Sequence, residues 1–474
     1  MSRDEIRELQ NAKLRFYVQH KLPFSPYYRD LFQRSGLSFK DIQTVDDLVK
    51  LPFTRKEDVA PTEDDRSRPR QFILQPDEKL IKKYAHPREL ARLLAGKIAR
   101  QDVHARLEWE YKPVHTHFTT GRTALPTAFT YSARDIELLK ESARRLFDVA
   151  GATKDDRFIN GFPYAPHLAF WLAYHAAMTM GLTSLHTGGG KTMGTEKIIR
   201  AIERMPATIA TFIPGYAYHL MREAVKLGAD FSALRFMIFG GERVSTGLRE
   251  KTREMLEKLG AKEVNILATY AFTESKTAWI QCAENSGYHL YPDLECIELV
   301  DKKGTRVSED EEGEIVYTSL DWRGSAVVRY RTGDVTKGIT YGPCPSCGRT
   351  VPRLHPDIQR SSEFKEFNLT NVKGQLVNLN NFFPLLSGMK EIEEWQVELR
   401  KEGGEALGLD EIVVYVAPHT GQSFENVKQE VERRVRTEMD VTPIVEEKPL
   451  AELLQRMGME TELKEKRILD SRPR

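Results

Sequence analysis

Three apolar, β-rich runs constrain the fold of this chain most tightly. ATIATFIPG spans 207–215, LRFMIFGGE spans 234–242 and EVNILATYAF spans 263–272. Helical stretches such as GLREKTREMLEKLG (247–260) separate them. Continuous apolar strands alternating with helices are what a largely parallel α/β sheet requires, because both faces of such a sheet are covered. RDIELLKESARRLFDVAG (134–151) reads as a helix stopped at Gly151. GEIVYTSL and SAVVRYRTGD then read as hairpin-like strands of a second sheet.

At 474 residues the chain exceeds one ordinary core, so two or three domains are expected. Residues 1–60 read as helices and short loops, beginning with a capping box at Ser2 and Glu5. Residues 77–105 are helical again, so 1–105 forms a helical N-terminal part. After about residue 360 the pattern changes. EEWQVELR, DEIVVYVAP and TPIVEEKP are strands around the helix FENVKQEVERRVRTEM, a small α+β domain of ferredoxin-like order. The expected division is therefore 1–360 and 361–474.

The net charge of +1 provides no field for nucleic acid or an anionic membrane, so neither is expected as a partner. No apolar run reaches the ~18 residues of a membrane span, and MSRDEIRELQ carries no apolar signal core. A cytoplasmic protein is expected. In a reducing compartment its four cysteines, 282, 296, 344 and 347, suggest metal before disulfides.

Several short motifs carry chemistry. Thr119-Thr120-Gly121 offers hydroxyls and a Gly turn suited to phosphate oxygens, with Arg122 beside them, outside any Walker frame. Gly240-Gly241-Glu242 follows an apolar strand, where a ligand can approach backbone closely. Glu274 follows another, in the kind of loop where open α/β sheets place ligands, and could hold Mg2+. Asp334 closes RYRTGD, a turn able to hold ribose hydroxyls. Each motif taken alone is more often an ordinary turn or loop, and at Asp334 at least as often; their order along the chain carries the reading. CPSCG at 344–348 has the shape of a zinc knuckle, supplying Cys344 and Cys347. Cys282, His289 and Cys296 are the available partners; Cys296 sits in a strand-like run, and Cys282 and His289 flank a polar loop.

With these motifs the chain resembles the phenylacetate-CoA ligase family of the adenylate-forming acyl-CoA synthetases. The likeness runs from SPYYRDLF near residue 25 to RILDSR near the C-terminus. It implies a large adenylate-forming domain of mixed sheets and helices followed by a small mobile domain. It assigns Thr119, Thr120 and Gly121 to phosphate, Gly240, Gly241 and Glu242 to adenine, and Tyr270 to the adenine face. Thr273 would lie near phosphate, Glu274 on Mg2+, Asp334 on ribose, and Arg360 on ribose or phosphate. It selects Cys282, His289, Cys344 and Cys347 for a structural Zn2+. The C-terminal motif spacing points to Lys464 as the catalytic lysine, with Lys466 competing.

The implied reaction is ATP-dependent conversion of a carboxylic acid, aryl or arylacetic, to acyl-AMP. Transfer to coenzyme A follows, releasing AMP. FPYAPHLAFW with Phe212 and Tyr216 is aromatic enough to enclose an aryl ring, or equally to pack a core. A homodimer is implied by the resemblance alone. The sequence departs from the family pattern in five places: His117-Phe118 precede the phosphate loop, Ala271 replaces a Gly, Gln359-Arg360-Ser361-Ser362-Glu363 stands at the hinge, KGQLVNLNNFFP (373–384) matches its family segment only loosely, and no Gly precedes Lys464. Two alternatives stay open on these departures, an acceptor other than coenzyme A and a nucleotide-binding relative without catalysis.

Overall fold

The computed structural model describes residues 1–119, 126–360, 369–372, 375–401, 410–462 and 465–472. The chain forms two compact units. The first comprises residues 1–153, 166–181 and 269–359, and the second 154–165, 182–268 and 360–474.

The second unit holds the parallel sheet. Its strands lie in the order Thr183–His186, Arg157–Asn160, Ile209–Phe212, Phe236–Phe239 and Asn265–Ala271, each parallel to the next. The Ile209–Phe212 and Phe236–Phe239 strands are buried along their whole length. Both sheet faces are therefore covered, and the alternation seen in half-exposed strands is missing from the sequence. Helices Pro214–Lys226 and Thr246–Lys258 make the crossovers. Pro214 supplies the fixed φ that suits a helix's first position. The strand Asn265–Ala271 begins in this unit, and its last three residues belong to the other.

The rest of the second unit carries a four-stranded sheet in the order Ile444–Glu447, Asp410–Pro418, Ile392–Lys401, Ile468–Asp470. The two central strands are antiparallel and each edge strand runs parallel to its neighbour. The helix Phe424–Met439 packs Val427, Val431 and Val435 inward, at i, i+4 and i+8. A second helix, Leu450–Met457, and the short strand Ile468–Asp470 are elements that sequence patterning did not anticipate. Val413, Tyr415, Leu453 and Met457 share one apolar core with Phe212, Tyr216 and Met237 of the parallel-sheet part. Lys251 also donates to the carbonyl of Ile392 at 2.7 Å.

In the first unit, helix Arg3–His20 begins with the expected capping box, Ser2 and Glu5. Helices Glu78–Tyr84, Pro87–Ile98 and Val103–Tyr111 fill the second helical stretch. Helix Ala133–Ala150 ends at Gly151, whose φ of +84° is the left-handed cap that glycine makes at little steric cost. Strands Pro113–Phe118 and Ala128–Ser132 pair antiparallel, the first ending beside Thr119 and the second beginning after Thr127. Gly313–Ser319 pairs antiparallel with Tyr330–Thr336, as expected, except that the second strand starts at Tyr330 rather than Ser325. Arg329 explains the late start: its φ of +53° breaks extended geometry, and its guanidinium donates to the carbonyl of Leu51 at 2.6 Å. Among the described residues, no helix is long and apolar enough to cross a membrane.

Candidate functional site

The register of the Gly313–Ser319 and Tyr330–Thr336 strands explains how Asp334 is presented. Glu314 faces Val335 and Val316 faces Arg331, so one strand uses two steps where the other uses four. The excess is absorbed as a bulge over Thr332-Gly333-Asp334. Gly333 adopts φ +72°, and its N–H donates to Glu314 Oε1 at 3.1 Å. Arg331 is also held by Glu314, Nε donating at 2.9 Å. The Thr332 hydroxyl donates to the carbonyl of Ile315 at 2.8 Å. Asp334 is thereby fixed at its base.

Tyr270 and Glu274 meet this bulge from the end of the Asn265–Ala271 strand. The Tyr270 hydroxyl donates to Asp334 Oδ2 at 2.9 Å, and its ring stacks on Trp279 with centroids 5.6 Å apart. Thr273 and Glu274 open a 3₁₀ turn, Thr273–Ser275. Tyr330 donates its hydroxyl to Glu274 Oε1 at 2.7 Å. Two tyrosine hydroxyls thus tie the segment that carries Tyr270 and Glu274 to the segment that carries Tyr330 and Asp334, one bond in each direction. Tyr330 went without a role in the sequence reading, although it opens the YRTGD motif. Lys276, which ends the Glu274 turn, was also missed.

Thr119 closes the base of its loop. Its N–H donates to the carbonyl of Thr127 at 3.0 Å, and its hydroxyl accepts the Thr127 N–H at 3.2 Å. Thr120 and Gly121 lie outside the described residues. His117, two residues before Thr119, is buried, with Nδ1 2.9 Å from the Tyr131 hydroxyl and Nε2 2.9 Å from the ring nitrogen Nε2 of His115. Burial pushes its pKa down to about 3, so this imidazole is neutral at pH 7.

In the second unit, Gly240 donates its N–H to the carbonyl of Phe212 at 3.2 Å, and Gly241 takes φ +84°. Glu242 follows, half-buried, at the end of this turn. Phe212 packs so closely that a Cβ on Gly161 would lie 1.9 Å from its ring. Lys464 and the Arg360 side chain lie outside what the structure describes. Glu465, the neighbour of Lys464, is buried beside Gly215 and accepts from Arg467, which also donates to Glu394 Oε2 at 2.8 Å.

The cysteine reading converges on one cluster. Cys282, His289, Cys344 and Cys347 bring their ligand atoms within 4.8 Å of one another. Cys282 Sγ is 3.6 Å from Cys344 Sγ, and Cys347 Sγ is 3.4 Å from His289 Nε2. These separations fit a tetrahedron built on metal bonds of roughly 2.0–2.3 Å. His289 Nδ1 lies 3.3 Å from the carbonyl of Ile280, which fixes the ring and leaves Nε2 for a metal. Gly348, with φ +72°, lets the knuckle reverse direction. Cys296 is a buried core thiol outside the cluster. His289 reaches the cluster because Tyr288–His289 pairs with Arg353–Leu354 just beyond the knuckle.

Residues 51–321, more than half the chain, match the AMP-binding enzyme family. The phenylacetate-coenzyme A ligase of Thermus thermophilus is 26% identical over 409 residues, 85% of this chain and 80% of the relative. That of Escherichia coli is 25% identical over 380 residues, 78% and 74% of the two chains. Among solved structures, 2-hydroxyisobutyryl-CoA ligase in the postadenylation state with 2-HIB-AMP superposes with a TM-score of 0.74. It is 20% identical and the match covers 100% of this chain and 91% of that one, a likeness of fold. The chain belongs to the AMP-binding enzyme family, as a divergent phenylacetate-coenzyme A ligase-like member.

Proposed function

We propose that this protein activates a carboxylic acid with ATP to give acyl-AMP and pyrophosphate, then transfers the acyl group to coenzyme A and releases AMP. The convergence of Tyr270, Glu274 and Asp334 carries this reading, because it gathers an aromatic face, a cation-binding carboxylate and a ribose-binding carboxylate. Asp334, oriented by the Tyr270 hydroxyl, accepts the ribose hydroxyls. Tyr270 lies along the adenine, backed by Trp279. Thr119, Thr120, Gly121 and Thr273 bind phosphate, and Gly240, Gly241 and Glu242 approach the adenine. Arg360 pairs with ribose or phosphate.

A carboxylate is a poor electrophile because its charge is delocalised and its leaving group is oxide. Attack of its oxygen on the α-phosphorus forms the anhydride and expels pyrophosphate. Negative charge concentrates in that transition state, so placed donors and cations supply most of the acceleration. Lys464 bridges the acid oxygen and the α-phosphate. Glu274 is suited to Mg2+, a hard cation that takes one carboxylate together with substrate phosphates and waters. Bound there, Mg2+ would offset phosphate charge. The thiol of coenzyme A then forms a bond to the acyl carbon while the bond to AMP breaks. In this reading 361–474 is a mobile domain that swings for the second step, about a hinge at Ser361 and Ser362, outside the described residues.

A structural Zn2+ suits the Cys282, His289, Cys344 and Cys347 cluster, whose four donors leave no position for a substrate. We place the protein in the cytoplasm, as a homodimer, with an aryl or arylacetic acid as substrate. Exchange of labelled pyrophosphate into ATP tests the first step. Exchange that requires an acid supports the reading. Its absence with every acid, beside measurable AMP binding, favours a nucleotide binder without catalysis.

A further inference from the structure

Lys276 ends the turn that carries Glu274, and its surroundings are unusual for a lysine. Its side chain is fully buried. The ammonium donates to the carbonyl of Thr130 at 2.6 Å and lies 3.5 Å from Asp135 Oδ2. It also faces the rings of Tyr131 and Trp322, with centroids at 4.6 and 5.3 Å. A buried ammonium is costly unless it is paired and hydrogen-bonded, and this one has a carboxylate, a carbonyl and two ring faces. The backbone adds a second cost. Lys276 takes φ +59°, a left-handed conformation that glycine or asparagine adopts more cheaply. A lysine that bears both costs points to a use for its side chain.

The anchor is rigid on the receiving side. Asp135 is fully buried and accepts the N–H groups of Arg323 at 2.8 Å and Gly324 at 2.6 Å. It closes the capping box of helix Ala133–Ala150 with Ser132. Thr130 lies in the strand paired with Pro113–Phe118, in register Thr116 to Thr130, and that strand leads directly to Thr119. On the giving side, the Lys276 N–H donates to the carbonyl of Thr273 at 3.2 Å, and the Tyr317 hydroxyl donates to that of Ser275 at 3.2 Å. The lysine therefore ties the Glu274 turn to the strand pair that leads to Thr119.

We infer that Lys276, held by Asp135 and the Thr130 carbonyl, is a positioning residue that sets Glu274 relative to Thr119 for Mg2+-nucleotide binding. The inference rests on the reading of Glu274 as the cation's carboxylate. Tyr330 holds Glu274 by its side chain, and Lys276 holds the backbone of its turn. Removing the ammonium frees the turn while leaving Tyr270 and Asp334 in place. The loss should therefore fall on the Mg2+-dependent part of ATP binding, with adenosine recognition spared.

The test compares wild type, Lys276→Met, Lys276→Arg and Asp135→Asn. ATP binding is measured calorimetrically over a range of Mg2+ concentrations, alongside melting curves and acid-dependent pyrophosphate release. Lys276→Met is expected to raise the Mg2+ concentration for half-maximal effect by tenfold or more, with ATP affinity in chelator changed less than twofold. Lys276→Arg is expected to recover part of that loss, and Asp135→Asn to reproduce it more weakly. Unchanged Mg2+ dependence in a folded Lys276→Met variant overturns the inference. Where that variant does not fold, unchanged dependence in Asp135→Asn overturns it instead. A wild-type chain that binds ATP independently of Mg2+ also overturns it. A wild-type chain with Mg2+-dependent ATP binding but no acid-dependent turnover defeats the proposed activity, and the binding comparison still decides the role of Lys276.

Discussion

Tyr270 donates its hydroxyl to Oδ2 of Asp334 across 2.9 Å, and this bond joins the end of the Asn265–Ala271 strand to the bulge in the Tyr330–Thr336 strand. One carboxylate oxygen is thereby committed to the protein and the other is oriented. A hydrogen bond to a charged group contributes about 1.5–3 kcal/mol. Asp334→Ala should raise the KM for ATP by roughly 10- to 100-fold. Tyr270→Phe should raise it less, because the ring and its stacking on Trp279 remain. Steady-state kinetics with ATP varied separates the two. Equal and negligible effects would remove Asp334 from ribose binding.

Glu274→Gln keeps the shape and the bond from Tyr330 but removes the charge. It should slow acid-dependent pyrophosphate release by about 100-fold, the scale of one lost electrostatic group at a phosphoryl-transfer site. Tyr330→Phe should cost about tenfold, by loosening Glu274. Pre-steady-state pyrophosphate release measures both. A Glu274→Gln variant with wild-type rate would show that no cation needed that carboxylate.

Much of this arrangement could be read from the residues, and the unread part has physical causes. The parallel sheet was legible because strands buried on both faces are apolar throughout. The stop at Gly151 was legible because a left-handed cap calls for glycine. The bulge at Thr332–Asp334 was not, since register depends on the partner strand and not on local pattern. Lys276 and Asp135 are 141 residues apart, and no local spacing announces such a pair. The Ile468–Asp470 strand is three residues long and owes its existence to Val397–Leu399 beside it. Thr120, Gly121 and Lys464 lie outside the described residues, so their roles rest on resemblance.

The cysteine cluster makes a prediction about composition. Purified protein should carry about one Zn2+ per chain, by the four-donor rule for structural sites. Cys344→Ser and Cys347→Ser should each lose it and lower the first melting transition. The pairing of Tyr288–His289 with Arg353–Leu354 should loosen with the metal gone. Elemental analysis checks the stoichiometry. Protein that is fully folded, active and free of metal would contradict the assignment.

Glu295 predicts a pH-dependent stability. It is fully buried, and that burial pushes its pKa up to about 8 despite the N–H donors of Tyr291 and Trp279. Its second oxygen has no hydrogen-bond partner among the described residues. Below the ordinary carboxyl range both folded and unfolded chains are protonated here. As pH rises from there toward 8, the unfolded chain ionises first, and stability falls by up to about 1.4 kcal/mol per pH unit before levelling off. Glu295→Gln should abolish this decline. Melting curves at pH 5, 6.5 and 8 test it, and parallel declines in both proteins would refute it.

The lysine assignment separates the two half-reactions. Lys464→Ala should suppress acyl-AMP formation by 100-fold or more and leave thioester formation from supplied acyl-AMP within about threefold, since only the first step develops charge at the α-phosphate. Lys466→Ala should affect neither strongly. Slowing of both steps alike by Lys464→Ala would return the choice to Lys466 or to neither.

Pyrophosphate release from ATP and Mg2+, across a panel of aryl and alkyl acids with and without coenzyme A, tests the central claim most directly. The account predicts release that depends on the acid, is greatest with an aryl or arylacetic acid, and becomes multiple-turnover only when coenzyme A is present. Acid-dependent release that is indifferent to coenzyme A would contradict the proposed acceptor, and release with no acid at all, or none with any, would contradict the proposed activity.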